Sequence, residues 1–264
     1  MITISAIYRY PVKSMGENPL QTAIIDRFGI AQDRRWMLVD ENNKFITQRQ
    51  CAEMVKINVE PSGEGWRLKM DDQLSAPFSA HALSDQVCYV TVWRDQCAAL
   101  VAPEAINQWL AERLRRACRL VYMPDSTQRE VDPDYAKAGQ TVSFADGFPL
   151  LLTAQESLAD FNRRLSQPIE MLRFRPNLVI QGADAWSEDN WRVIQIGDLT
   201  FDVVKPCSRC AIPTINRETA VKEPEVFRAL KQHRQRNGEV YFGQNLLPRG
   251  TGTLRVGDRV TVLK

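Results

Sequence analysis

Apolar and polar residues alternate in short runs along much of this chain, and that period of two predicts a protein built mainly from β-strands. Residues 2–12 read as a first strand ending at Pro11, and residues 20–26 and 36–40 read as two more. A polar turn at Glu41-Asn42-Asn43 folds the last of these onto Phe45-Ile46-Thr47 as a hairpin. Met54–Val59, Gly65–Met70 and Cys88–Trp93 continue the pattern, so the N-terminal part is expected to be a sheet or a partly closed barrel.

The period changes after Pro103, a residue that can open a helix, because Ile106, Trp109, Leu110 and Leu114 recur at helical spacing. Arg113, Arg115, Arg116 and Arg119 read as the solvated, dipole-favoured end of that helix. Residues 124–140 are polar and turn-rich and read as a loop. The second half opens with Val142–Phe148 and the apolar run Leu150-Leu151-Leu152. Thr153-Ala154-Gln155-Glu156 then has the form of a capping box, followed by Leu158, Phe161 and Leu165 as a buried stripe. Asn177–Gln181 and Trp191–Ile196 read as strands, and the Gly-Asp pairs 197–198 and 257–258 read as hairpin turns. Pro224 opens one more helix, to Arg234, with Val226, Phe227 and Leu230 inward. The expected fold class is α+β, predominantly β: two β-rich lobes with a few packed helices, residues 1–120 and 121–264.

A chain of 264 residues can bury a substantial core, and 25% charged with 44% hydrophobic residues suits a soluble protein. Acidic and basic residues are well mixed at a net charge of +2, with no polybasic arm, so neither nucleic acid nor a membrane is expected as partner. No run approaches the roughly 18 apolar residues of a membrane span, and Met1–Ala6 reads as strand rather than signal peptide. Six cysteines are few for a disulfide framework in a chain this long, so a cytoplasmic protein with reduced thiols is expected.

The chemistry concentrates at Cys207-Ser208-Arg209-Cys210. The alternating run Leu199–Val204 is expected to end at Pro206, which has no N–H for the ladder, presenting both thiols on a turn. Half a zinc site is one reading, but there is no second Cys-x-x-Cys and only His81 and His233 are available. A redox dithiol is another, although that motif is expected at a helix start. Two buried cysteines without a role are a third. The fourth is a thiolate ligand to a soft metal carried by an anionic cofactor, because a neighbouring cation such as Arg209 favours the ligating form and can hold an anion. That reading needs further cations, and Lys13-Ser14, Asp33-Arg34-Arg35-Trp36 and Arg173–Asn177 stand at strand ends. Each of these alone is more often a surface ion pair.

Taken in order, Tyr10-Pro11-Val12-Lys13-Ser14, Asp33-Arg34, Thr47-Gln48-Arg49-Gln50, Ser143–Pro149, Phe174-Arg175-Pro176-Asn177, Lys205–Cys210 and Phe242-Gly243-Gln244-Asn245 resemble the MOSC-domain molybdenum proteins. The resemblance is nearest to the bacterial YcbX-type proteins and the mitochondrial amidoxime-reducing components, and it covers nearly the whole chain. It implies an N-terminal β-barrel MOSC_N domain followed by a MOSC β-barrel with packed helices, holding a molybdenum cofactor (Mo-molybdopterin) between them. It further implies Cys210 as metal ligand and catalytic residue, with Cys207 supporting or structural. Lys13, Ser14, Arg34, Arg175, Asn177, Ser208 and Arg209 match the cofactor-holding positions, which suits a phosphate-bearing pterin that needs charge-assisted donors. Arg49 and Asp146 lie in matching motifs without a role.

The resemblance implies an oxidoreductase that reduces small N-hydroxylated substrates such as hydroxylamines, amidoximes and N-hydroxylated bases. YcbX-type proteins usually continue into a ferredoxin-like domain, whose cysteine spacing is not found here, so electrons are expected from a separate ferredoxin or flavoprotein. The alternative is a molybdenum cofactor or sulfur carrier of the kind at the end of cofactor sulfurases, without reductase activity.

Overall fold

A computed structural model describes residues 1–84 and 86–264. The protein is mostly β, with three α-helices among the described residues: α1 (Glu104–Leu114), α2 (Gln155–Asn162) and α3 (Pro224–Arg234). Its largest sheet has nine strands. Eight follow one path: Val260–Val262, Val193–Ile196, Leu199–Ser208, Glu239–Pro248, Leu150–Ala154, Leu178–Gln181, Thr3–Arg9 and Asn18–Leu20. The ninth, Gln235–Arg236, pairs with Glu239–Pro248. Neighbours run antiparallel except Leu150–Ala154 beside Leu178–Gln181, a parallel pair that needs a crossover, and α2 lies within that connection. One face of the sheet buries Ile4, Leu152, Ile180, Ile194, Phe201 and Leu246, and the other is covered by α2 and α3, whose Phe161 and Leu230 pack in one cluster with Phe242 of the sheet.

The N-terminal region is a curled, barrel-like β assembly. It includes a four-stranded sheet in the order Trp36–Val39, Arg119–Tyr122, Asp95–Val101, Val87–Val92 and a three-stranded meander, Asn58–Ser62, Gly65–Met70 and Gln73–Leu74. Helix α1 packs Ile106, Leu110 and Leu114 into the core of this region with Trp36, Leu38 and Leu68.

Several local expectations are corrected. Residues 52–56 form a 3-10 helix, and the following strand starts only at Asn58. Helix α2 forms, but not through a capping box: Thr153 lies in the preceding strand with its hydroxyl unpartnered, and Glu156 accepts from the backbone N–H of Gly182 at 2.6 Å. Ile196 and Leu199 flank a hairpin turn, whereas the second Gly-Asp pair joins Gly252–Arg255 and Val260–Val262, which enter different sheets. Pro206 does not end its strand, which runs to Ser208. Pairing with Val193–Ile196 ends at Asp202, so Pro206 has a strand on one side only, where a missing donor is tolerated.

Two register shifts on that remaining side bend the Leu199–Ser208 strand. The second opposes Cys207 to Phe242 and Gly243, with Gly243 at φ 78°. A Cβ at Gly243 would lie 2.6 Å from the carbonyl oxygen of Leu152, so only glycine fits this bulge. The bend positions the cysteine segment.

Candidate functional site

Tyr10 follows the first strand and is fully buried. Its backbone N–H donates to Asp33 Oδ1 at 2.7 Å and its carbonyl accepts from the Arg34 N–H at 2.7 Å, so residues 10–13 and 33–36 lie side by side. This brings Arg34 over the Tyr10 ring at 4.4 Å. Arg175 ends the short 3-10 helix Met171–Phe174 in the left-handed conformation (φ 57°, ψ 47°) and lies over the same ring at 4.2 Å. Ser14 (φ 68°) and Arg34 (φ 48°) share that conformation. Three non-glycine residues in a costly backbone region therefore gather at one place, as happens where surrounding contacts enforce a functional geometry.

Lys13, Ser14, Arg34, Arg175, Asn177, Ser208, Arg209 and Cys210 all line one cavity of about 280 Å³, together with Cys207. The eight residues singled out from the sequence are brought together from both halves of the chain, and their individual contacts differ. Asn177 is turned into the protein: its Oδ1 accepts from Arg34 Nη1 at 2.9 Å and its Nδ2 donates to the Tyr8 carbonyl at 3.2 Å. It holds Arg34, which also donates to Asp33 Oδ2 at 2.6 Å and the Arg175 carbonyl at 3.0 Å. Arg209 donates to Cys207 Sγ at 2.8 Å and to the Phe174 carbonyl, so Cys207 fixes this guanidinium. Ser208 is exposed and Cys210 half-buried.

The cations are only partly neutralised. Arg175 Nη1 donates to the Met15 carbonyl at 2.8 Å, but among the described residues buried Nη2 has no partner, nor has Arg209 Nε. Burial, helped by Arg34 nearby, pushes the Arg175 guanidinium down to about 10. Lys13 donates to the Phe144 carbonyl at 2.7 Å and to Asp146 Oδ1 at 2.5 Å. Burial pushes its ammonium down to about 8, against the opposing pull of Asp146. Burial alone would raise the Asp146 carboxyl, but Lys13, Arg49 and Trp93 together hold it below the usual carboxylate range.

Arg49 and Asp146, quoted in motifs without a role, form the rim beside the thiol. Arg49 Nη1 lies 3.6 Å from Cys210 Sγ, and its guanidinium sits 4.7 Å from the centre of the Trp93 ring. Trp93 Nε1 donates to Asp146 Oδ1 at 3.2 Å. Sequence reasoning assigns no role to Tyr10, which lies in one of the motifs, or to Trp93, which reads as the end of a strand but sits in the turn that follows Val92. Among the described residues no group of three or more His, Cys, Asp or Glu side chains is placed to hold a metal ion. No helix among the described residues is long and apolar enough to cross a membrane.

Comparison with known proteins gives concordant matches. The family model for the MOSC domain matches residues 139–261, and that for the MOSC N-terminal beta barrel domain matches residues 1–117. Mitochondrial amidoxime-reducing component 1 of Homo sapiens is 30% identical over 280 residues, spanning 99% of this chain and 83% of that protein. Mitochondrial amidoxime reducing component 2 of Homo sapiens is 31% identical over 98% of this chain and 82% of that protein. Molybdenum cofactor sulfurase of Oryza sativa subsp. japonica is 28% identical over 92% of this chain, a region that makes up 32% of that protein.

Proposed function

We propose, since this chain belongs to the MOSC family, that its cavity holds a molybdenum cofactor and that it reduces N-hydroxylated compounds beside Cys210. The observation that carries this reading is the meeting of two unlike chemistries in one cavity: a half-buried thiol, and buried guanidinium nitrogens with no acceptor among the described residues. A soft metal suits the first and an anionic group the second, and a phosphate-bearing molybdopterin combines them. The residues present therefore fit the group. Arg175, Arg209, Arg34, Lys13, Ser14 and Ser208 would hold its anionic part, Cys210 would ligate the metal, and Asn177 would fix Arg34.

When bound, such a cofactor supplies two-electron redox chemistry. The overall reaction takes two electrons and two protons, breaks the N–O bond, and yields the N–H product and water. The chain's own contribution is positional and electrostatic. Arg49 keeps a positive charge beside Cys210 Sγ, ready to offset negative charge building up there. Phe148, Leu151, Ile212 and Pro213 give the cavity an apolar wall that limits water and strengthens those interactions. A separate ferredoxin or flavoprotein supplies the electrons.

The match to a cofactor sulfurase favours one other reading, a carrier that holds cofactor or sulfur without reducing substrate. Protein from cofactor-replete cells is to be analysed for molybdenum and, after denaturation, for pterin fluorescence, then assayed for benzamidoxime reduction with a reduced ferredoxin or flavoprotein. Molybdenum, pterin and turnover together support the reductase. Cofactor without turnover supports the carrier, and protein that takes up no molybdenum contradicts both.

A further inference from the structure

Two polar residues of the cavity are not among those that would hold a cofactor. Lys205 and Asn245 face each other across the Leu199–Ser208 and Glu239–Pro248 strands, and both line the cavity together with Cys210. Residues directly opposed in an antiparallel pair project from the same face of the sheet, with Cβ atoms about 5 Å apart. Both are half-buried, and among the described residues no protein group hydrogen-bonds to either side chain.

Lys13 and Arg34 have carboxylates beside them, Asp146 and Asp33. Lys205 has none among the described residues, and its ammonium lies 4.5 Å from the centre of the Tyr135 ring instead. That ring meets Phe148, which also lines the cavity, edge-on at 5.8 Å. Tyr135 is carried on a loop whose ends are tied by the Glu130–Thr141 bridge and by the Val131 N–H donating to the Gln140 carbonyl at 2.9 Å. The loop thus holds the lysine at the cavity wall. An aromatic face attracts a cation but does not take up all three of an ammonium's donors. The charge of Lys205 is therefore fixed in place and left unanswered.

We propose that Lys205 and Asn245 form a subsite for a carboxylate, so that the preferred substrates are N-hydroxylated compounds carrying a carboxylate away from the N–OH group. Lys205 Nζ and Asn245 Nδ2 are both donors, and the two oxygens of one carboxylate accept from both. One cation and one neutral amide match a single negative charge. A dianionic phosphate calls for more positive charge, which Arg175 and Arg209 supply elsewhere in the cavity. A substrate held by its carboxylate here lies along the segment that continues to Cys210, with its N–OH end free to reach that residue.

This inference rests on the reductase reading, and the test separates the two. Molybdenum-loaded wild type, Lys205→Met, Lys205→Arg and Asn245→Ala are assayed for reduction of neutral benzamidoxime and of its 3- and 4-carboxylate derivatives. Binding of the matching products, benzamidine and its carboxylates, is measured by titration calorimetry on the same proteins. For the carboxylate isomer that wild type binds better, Lys205→Met is expected to raise KM and weaken product binding about tenfold. Asn245→Ala, which changes no charge, is expected to cost about threefold, and Lys205→Arg to stay within about threefold of wild type. KM for benzamidoxime is expected to stay within about twofold throughout. Equal changes for neutral and carboxylate compounds, or none in Lys205→Met, overturn the subsite and leave the reductase reading standing. Loss of molybdenum from Lys205→Met assigns the lysine to the cofactor and overturns the subsite as well. Variant-sensitive binding of the carboxylate product in a loaded protein that reduces none of these compounds supports the subsite and removes the reductase reading.

Discussion

Arg49 Nη1 lies 3.6 Å from Cys210 Sγ across a sequence separation of 161 residues, which ties the thiol to the N-terminal region. The contact brings a positive charge from the N-terminal region to a sulfur carried by the C-terminal part. Arg49→Gln removes the charge while keeping a polar side chain. Turnover is expected to fall about tenfold, the scale for losing one well-placed charged contact, with molybdenum content unchanged by elemental analysis.

Arg175 is buried with one terminal nitrogen that finds no partner among the described residues, so it costs the cofactor-free protein free energy that an anion recovers. Arg175→Met keeps the chain's contact with Tyr10 and removes the charge. The cofactor-free variant is expected to melt no lower than wild type, and to bind sulfate at least about tenfold more weakly by calorimetry. A lower melting temperature with unchanged sulfate affinity contradicts the role given to this residue.

Lys13 titrates near 8 in the folded protein and near its ordinary value of 10.5 when unfolded. Below about pH 8 both states carry the charge, and the folded state bears the full desolvation penalty. Between about 8 and 10.5 the unfolded chain holds more protons, so this group's contribution to stability becomes more favourable as pH rises. Anion binding moves the other way. Sulfate affinity is expected to fall as pH passes through about 8 in wild type, and to lose that step in Lys13→Met.

Gly243 sets the bend that carries Cys207–Cys210, and a Cβ there meets the Leu152 carbonyl oxygen at 2.6 Å with φ at 78°. Gly243→Ala is expected to lower unfolding free energy by about 2 kcal/mol or more, measured by urea denaturation.

Much of this was legible in the sequence because local patterns were strong. The proline-started helices α1 and α3 formed where apolar spacing indicated, and the motif residues converged on one cavity. Local reading failed where partners distant in sequence decide the outcome. Pro206 looked like a strand end, yet a strand on one side only makes it harmless. Thr153 looked like a helix cap, yet the pairing of Leu150–Ala154 draws it into the sheet. The strand Asp95–Val101 went unread because Cys97, Ala98 and Ala99 interrupt it with small residues. Trp93 carried no visible chemistry until the fold set it between Arg49 and Asp146.

The proposed reduction depends on Cys210. The most direct measurement is benzamidoxime reduction by a small chemical electron donor, expressed per bound molybdenum, for wild type and Cys210→Ala. Turnover by wild type and none by Cys210→Ala is the predicted result. A Cys210→Ala protein as active as wild type, or a molybdenum-loaded wild type with no turnover, contradicts it.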